Sequence, residues 1–157
     1  MGRKRFTDFS SRAPSKLGKP HVRYVRAGSR IFKGLETGDG AAFFVYVADD
    51  VDWTVMGTHP LAGHYQTKAA FIAGTFAELG KVLPNGKQLH LDNVIVQNDQ
   101  AAVELRSMAI AKNGMRFDNR YCWIVYFKGA IISRVRAYLD SALIGRLFEE
   151  NPLSSAK

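Results

Sequence analysis

The spacing of apolar positions changes period midway along the chain. Up to about residue 80 they recur mostly at helical intervals, and beyond Pro84-Asn85-Gly86 they fall in β-branched and aromatic stretches separated by short turns. Val22, Val25, Ile31, Phe32 and Leu35 predict a helix over 21–37 that Gly38 ends, and Asp39 is placed to cap a second, short helix reaching Ala48. The apolar run 41–47 has strand propensity, but the cap and the acidic stop Asp49-Asp50 favour helix. A strand over 51–56 and a loop over 57–63 follow. A third helix over 67–79 carries Phe71, Ile72, Phe76 and Leu79 on its buried stripe, with Gly80 as terminator. Stretches 89–96, 101–112, 115–128 and 131–139 predict a four-strand antiparallel meander. Asp140 then caps a last helix bearing Leu143, Ile144, Leu147 and Phe148, which Asn151-Pro152 stops.

A twisted sheet with helices gathered on one side curls and leaves a cone-shaped cavity at its centre. The expected fold is therefore α+β, a curved antiparallel sheet wrapped around helices with one central pocket for a small molecule. With 157 residues, 46% hydrophobic and 11% aromatic, one domain can bury a sufficient core without metals or disulfides. The expected organisation is a basic flexible leader over 1–19, a domain over 20–150 and a tail over 151–157.

Charge alters this picture only at one end. Arg3, Lys4, Arg5, Arg12, Lys16, Lys19, Arg23, Arg26 and Arg30 stand against Asp8 alone, so the whole net charge of +8 sits in residues 1–30 and the body is neutral. A solvated tail is favoured over contact with nucleic acid or an anionic membrane, and organelle targeting stays open. No stretch is apolar enough to span a bilayer and no secretory core follows Met1, so a soluble, cytoplasmic protein is expected. The single cysteine, Cys122, forms no disulfide framework and reads as a buried, inert thiol. His21, His59, His64 and His90 have no metal-ligand spacing, so neither metal nor cofactor is expected.

Asn113-Gly114 favours a two-residue type I′ turn, which sets a register for the hairpin around it. Lys112 then faces Met115, Met108 faces Asn119, Arg106 faces Tyr121 and Glu104 faces Trp123, all on one sheet face. Leu105, Ser107, Ala109, Asp118, Cys122 and Ile124 take the other. A face holding a carboxylate, a guanidinium, an amide, a phenol and an indole has what a pocket needs to orient a polar ligand between aromatic walls. An exposed face with a cross-strand salt bridge is the plainer reading, which the cost of exposing Tyr121 and Trp123 together disfavours.

The stretches Gly34-Leu35-Glu36-Thr37-Gly38-Asp39, Ala48-Asp49-Asp50-Val51-Asp52-Trp53, Pro60-Leu61-Ala62-Gly63 and Val135-Arg136-Ala137-Tyr138-Leu139-Asp140, in this order over 21–149, resemble the SnoaL-like group of the ketosteroid isomerase and nuclear-transport-factor-like superfamily. The resemblance implies a pocket, but its catalytic residues do not carry over. The three positions of the ketosteroid isomerases hold Ile31, Trp53 or Thr54, and Trp123; the Asp-Arg-Asp set of the limonene epoxide hydrolases meets Arg106, Glu104 and Ala137.

Glu104 and Arg106 are thus the first catalytic candidates, for proton transfer and for stabilising negative charge. His59, in the loop after the first strand, is the third. Trp53, Met108, Asn119, Tyr121, Trp123 and Tyr138 are candidate substrate-binding residues. Whether Arg134, Arg136 and Tyr138 line the pocket or the outer face turns on a bulge in the last strand. The resemblance implies cofactor-independent isomerase, cyclase or dehydratase chemistry on an apolar carbonyl compound of polyketide, terpenoid or steroid type; the alternative is a non-catalytic binding or assembly module. A homodimer through the outer sheet face is expected, since Leu105 and Ile124 would leave apolar area to cover there.

Overall fold

The computed structural model describes residues 29–37, 40–86 and 88–153. The expected leader, the first helix before residue 29, its Gly38 stop, the Asp39 cap and the tail beyond residue 153 lie outside the described residues.

Residues 29–33 are helical and tighten into a 3-10 turn over Gly34–Thr37 (together α1), followed by Ala41–Phe44 (α2), whose N-cap is Gly40 in the left-handed conformation. The expected extension of α2 to Ala48 does not form. Phe43 and Phe44 are buried by one helical turn, after which the β-branched, acidic run enters strand β1, Val47–Val55. A short strand β2, Gly63–Tyr65, arises within the expected loop.

Helix α3 begins on Thr67, whose side chain accepts from the Ala70 N–H at 3.1 Å. It runs through Lys68–Phe71, a π-helical segment Ile72–Phe76, and Ala77–Val82. Gly80 does not end it; the helix continues to bury Val82 and Leu83 in a second core with Ala109, Phe117, Ile144 and Leu147. Strands β3 (His90–Gln97) and β4 (Gln100–Arg106), the short pair β5 (Ala109–Ile110) and β6 (Arg116–Phe117), β7 (Arg120–Lys128) and β8 (Ile131–Leu139) complete the sheets. The closing helix α4, Ser141–Glu150, is capped by Asp140, which accepts from the Leu143 N–H at 3.0 Å, and it stops at Asn151.

The main sheet has the order β2-β1-β8-β7-β4-β3. The meander β3, β4, β7, β8 is antiparallel as expected, while β1 joins β8 in parallel, Trp53 facing Val135. Chain from both ends of the domain therefore meets at the centre of the sheet. Its concave face packs Trp53, Val103, Leu105, Trp123, Val125, Val135 and Ala137 against Phe32, Phe43, Phe44 and Phe71 of the helices. Each such large apolar side chain contributes about 1.5–3 kcal/mol when fully buried.

The hairpin corrects the expected register. Ala111 N–H donates to Met115 O at 2.8 Å and Gly114 N–H to Ala111 O at 2.9 Å, so three residues, Lys112-Asn113-Gly114, form the loop, with Gly114 alone at positive φ (87°). Asn113 is held out of the left-handed conformation by tethers to α4. Its N–H donates to Asn151 Oδ1 at 3.1 Å and its Nδ2 to Glu150 O at 3.3 Å. A three-residue loop with a glycine bulge shifts the pairing by one residue, and a one-residue shift exchanges faces. Leu105 now faces Tyr121, Val103 faces Trp123, Glu104 faces Cys122 and Arg106 faces Arg120.

Candidate functional site

The concave face and α3 enclose a cavity lined by Val55, Leu61, Phe71, Thr75, Phe76, Leu79, Leu89, Tyr121, Trp123, Ala137, Leu139 and Ile144. Strand period two brings Val55, Tyr121, Trp123, Ala137 and Leu139 inward from β1, β7 and β8. The helical stripe of α3 supplies Phe71, Thr75, Phe76 and Leu79, and α4 closes the floor with Ile144. The free volume is about 50 Å³, room for a few water molecules, so a ring-sized ligand has to displace a wall.

Thr75 and Tyr121 are the polar residues of this lining. Thr75 Oγ1 donates to Phe71 O at 2.6 Å, so Tyr121 carries the more weakly held of the two hydroxyls. Its phenol lies 3.4 Å from Ser107 Oγ, a long contact, and desolvation pushes its pKa up to about 12 against a smaller lowering by Ser107. Tyr121 therefore stays a neutral donor across the physiological range.

The other proposed site residues divide sharply. Trp53 and Trp123 lie inside, in T-shaped contact at 5.1 Å, and Trp53 stacks on Phe71 at 3.8 Å. Trp53 is the one buried side chain among the described residues with an unpartnered polar atom, Nε1, a condition that costs about 1–3 kcal/mol.

Glu104 and Arg106 lie on the outer face, where Glu104 is exposed and Arg106 pairs with Asp92 instead of Glu104. Neither lines the interior cavity; Glu104 borders an outer groove with Asp92, Arg120, Cys122 and Tyr138, and that groove shares Tyr121 and Leu139 with the cavity lining. The physical reason is the turn: the two-residue loop would have put both on the face of Tyr121 and Trp123, and the three-residue loop puts Val103 and Leu105 on that buried face in their place. Leu105 thus leaves the outer face on which it was expected, and Cys122 is only half-buried there.

Met108 is 56% exposed, in the break between β4 and β5, and Tyr138 is 44% exposed on the outer face of β8. Arg134 and Arg136 share that outer face, both lying over the Tyr126 ring at 5.5 Å. Arg134 Nε also meets Asp52 at 3.3 Å, whose other oxygen holds His64 at 2.6 Å. Asn119 is fully buried but serves the backbone, accepting from Asp140 N–H at 3.0 Å and donating to Asp140 O at 3.4 Å.

His59 is buried beside the separate groove of Pro60, Ser141, Phe148 and Glu149, and does not line the cavity. Leu61 N–H donates to its Nδ1 at 3.2 Å, which makes Nε2 the donor to Met56 O at 3.1 Å. Desolvation lowers its pKa, partly offset by the Met56 bond, so His59 is a neutral clamp on its loop.

Sequence reasoning did not single out Thr75, Leu139 or Ile144 as cavity residues. The helical stripe was the available signal for Thr75 and strand alternation with Ala137 that for Leu139, and only the docking of α4 decides Ile144. Among the described residues no group of three or more His, Cys, Asp or Glu is placed to hold a metal, and no helix is long and apolar enough to cross a membrane.

The dimerizing cyclase phiC of Fungal sp. (strain ATCC 74256) is 27% identical over 127 residues, covering 78% of this chain and 56% of that protein, so the chain spans little more than half the length of that relative. The crystal structure of an NTF2-like protein from Burkholderia thailandensis E264 superposes with a TM-score of 0.69 at 19% identity, covering 79% of this chain and 95% of that one. The structure of TerC co-crystallised with polyporic acid does so with a TM-score of 0.66 at 20% identity, covering 80% and 97%. At such identities these structures speak for the fold. The family model of the SnoaL-like domain matches residues 29–135, and the chain belongs to that family.

Proposed function

We propose that the protein takes an apolar, ring-bearing small molecule with a carbonyl group into the interior cavity and promotes its rearrangement or ring closure without a cofactor. The observation that carries this reading is the lining itself, an aromatic and aliphatic enclosure in which the Tyr121 phenol, held by a 3.4 Å bond to Ser107 Oγ, is the polar group nearest to being available to a ligand. In this reading the walls fold the substrate into its reactive shape, and Tyr121 donates to the carbonyl oxygen as negative charge develops there. The likeness to a dimerizing cyclase supports the reaction class. A purely binding role is the second reading, favoured by one observation: among the described residues no carboxylate or imidazole lines the cavity to act as base.

A panel of apolar polyketide- and terpenoid-type ketones, incubated with the protein and followed by mass-balanced chromatography, tests the proposal. Turnover should fall about 100-fold or more in Tyr121→Phe, the scale of one donor to a developing oxyanion, and persist in Glu104→Gln. Loss of turnover in Glu104→Gln with full turnover in Tyr121→Phe would move the chemistry to the outer face. Binding without turnover across the panel would favour the second reading.

A further inference from the structure

One group beside the cavity is used neither by the fold nor by the chemistry above. Trp53 is fully buried, yet its indole Nε1–H has no hydrogen-bond partner, the single buried side-chain polar atom in that condition among the described residues. Its ring neighbours are Phe71 stacked at 3.8 Å, Trp123 at 5.1 Å and Phe43 at 6.5 Å, the last two near perpendicular. Aromatic rings offer an N–H at most a second-order contact, so burial strips this donor of water and supplies no oxygen in return.

Its position ties the orphan donor to the cavity. Phe71 and Trp123 are walls of the void, as is Val55, two residues along β1 on the face of the sheet that Trp53 shares. The rings of Phe71 and Trp123 form a layer that touches both the indole and the void. That layer rests on an irregular element: Phe71 immediately precedes the π-helical segment Ile72–Phe76, which itself carries the lining residues Thr75 and Phe76. Single π-helical turns recur at functional sites. With about 50 Å³ free, a ring-sized ligand must push a wall aside, and the aromatic walls nearest the indole are Phe71 and Trp123.

Resting on the cavity reading above, we propose that Trp53 Nε1–H is the buried donor that recognises a carbonyl oxygen on an apolar, ring-bearing ligand. An indole only donates, so it selects a compound carrying an acceptor over the hydrocarbon of the same shape. This makes Trp53 a specificity-determining residue, at a distinct point from the Tyr121 phenol.

Acetophenone and ethylbenzene are the probes, matched in size and differing in the carbonyl. The chain has two tryptophans, so an ¹⁵N spectrum of the full-length protein reports one indole signal for each, assigned with Trp53→Phe. Acetophenone should move the Trp53 N–H signal downfield, ethylbenzene should not, and acetophenone should bind about tenfold tighter, the scale of one hydrogen bond to a buried donor. In a Tyr121→Phe background, where the other donor of the cavity is removed, Trp53→Phe should abolish that preference while retaining ethylbenzene binding. Equal affinities with a stationary Trp53 signal, or a preference that survives in the double variant, would overturn the proposal and leave the cavity reading standing. If neither compound perturbs the signals of Phe71, Tyr121 or Trp123, the cavity reading fails and this inference with it. Should Trp53→Phe not fold, Trp123→Phe assigns the two indole signals and the wild-type shifts decide.

Discussion

The two faces of the central sheet are built from the same strands and have opposite chemistry. On the concave face Val103, Leu105, Trp123, Val125, Val135 and Ala137 are all buried, and the polar tips beside them are the Trp53 indole N–H and the Tyr121 phenol. On the convex face the alternate residues Glu104, Arg106, Arg120, Arg134 and Arg136 reach solvent; there Arg106 pairs with Asp92, Arg134 pairs with Asp52, and Arg134 and Arg136 lie over the Tyr126 ring. Strand alternation separates these sets cleanly, but alternation alone does not say which set is inside. Burial decides: turning Glu104 and Arg106 inward would strand charges in an aromatic core and expose Trp123, whereas the observed register pairs charge with solvent. The comparison teaches that ionisable residues clustered on one strand face mark the solvent side unless a partner or a ligand is there to hold them.

The largest effect that could break this contrast is at the concave face. Trp123→Ala removes a wall in contact with Trp53 and Phe43 and should cost about 3–5 kcal/mol, read from the urea unfolding midpoint. A loss under 1 kcal/mol would mean that the aromatic cluster is not the core of the fold.

Tyr121 sits between the two environments, and its titration sharpens the contrast. Its folded pKa of about 12 lies above the ordinary 10.0, so the protonated phenol is favoured in the folded state. The corresponding stability is fully present below pH 10 and is lost as pH rises through 12, a change of about 2–3 kcal/mol. Alkaline unfolding of the wild type should therefore show a limb in that window that Tyr121→Phe lacks. Superimposable profiles would place the phenol in water and remove it from the cavity.

The smallest effect belongs to the convex face. Arg106→Met breaks an ion pair whose side chains are both about one-third exposed, and should change stability by less than about 1 kcal/mol. The half-buried Ile124 and the exposed Ile95 and Tyr138 on this face are where a second copy is expected to dock, in place of the Leu105 patch assumed from the earlier register. Light scattering at micromolar concentration should then give the mass of two chains for wild type and Arg106→Met alike. A single-chain mass for the wild type would reject the dimer, and a loss of several kcal/mol in Arg106→Met would show the pair to be buried after all.

Much of this molecule was set by local rules that a sequence carries openly. The stripe of α3, the Asp140 cap and Asn151 stop of α4, strand β8 at its expected bounds and the inward Trp53 follow from period, capping and alternation. The family and its pocketed α+β fold were legible in the same way, from motifs in order. What the chain did not determine locally is whatever depended on a distant contact. Asn113 was free to form a two-residue turn until Asn151 and Glu150 of the last helix claimed its polar groups, and that one displacement moved Glu104 and Arg106 out of the candidate site. His59 was a plausible titrating base until its loop folded two backbone groups onto both ring nitrogens, and Gly80 a helix stop until Val82 and Leu83 found a core to enter. Sequence fixes what each residue can do with its neighbours along the chain. The tertiary structure decides which partner it meets, because the free energy of burying an indole or stranding a carboxylate exceeds the preference of any single turn.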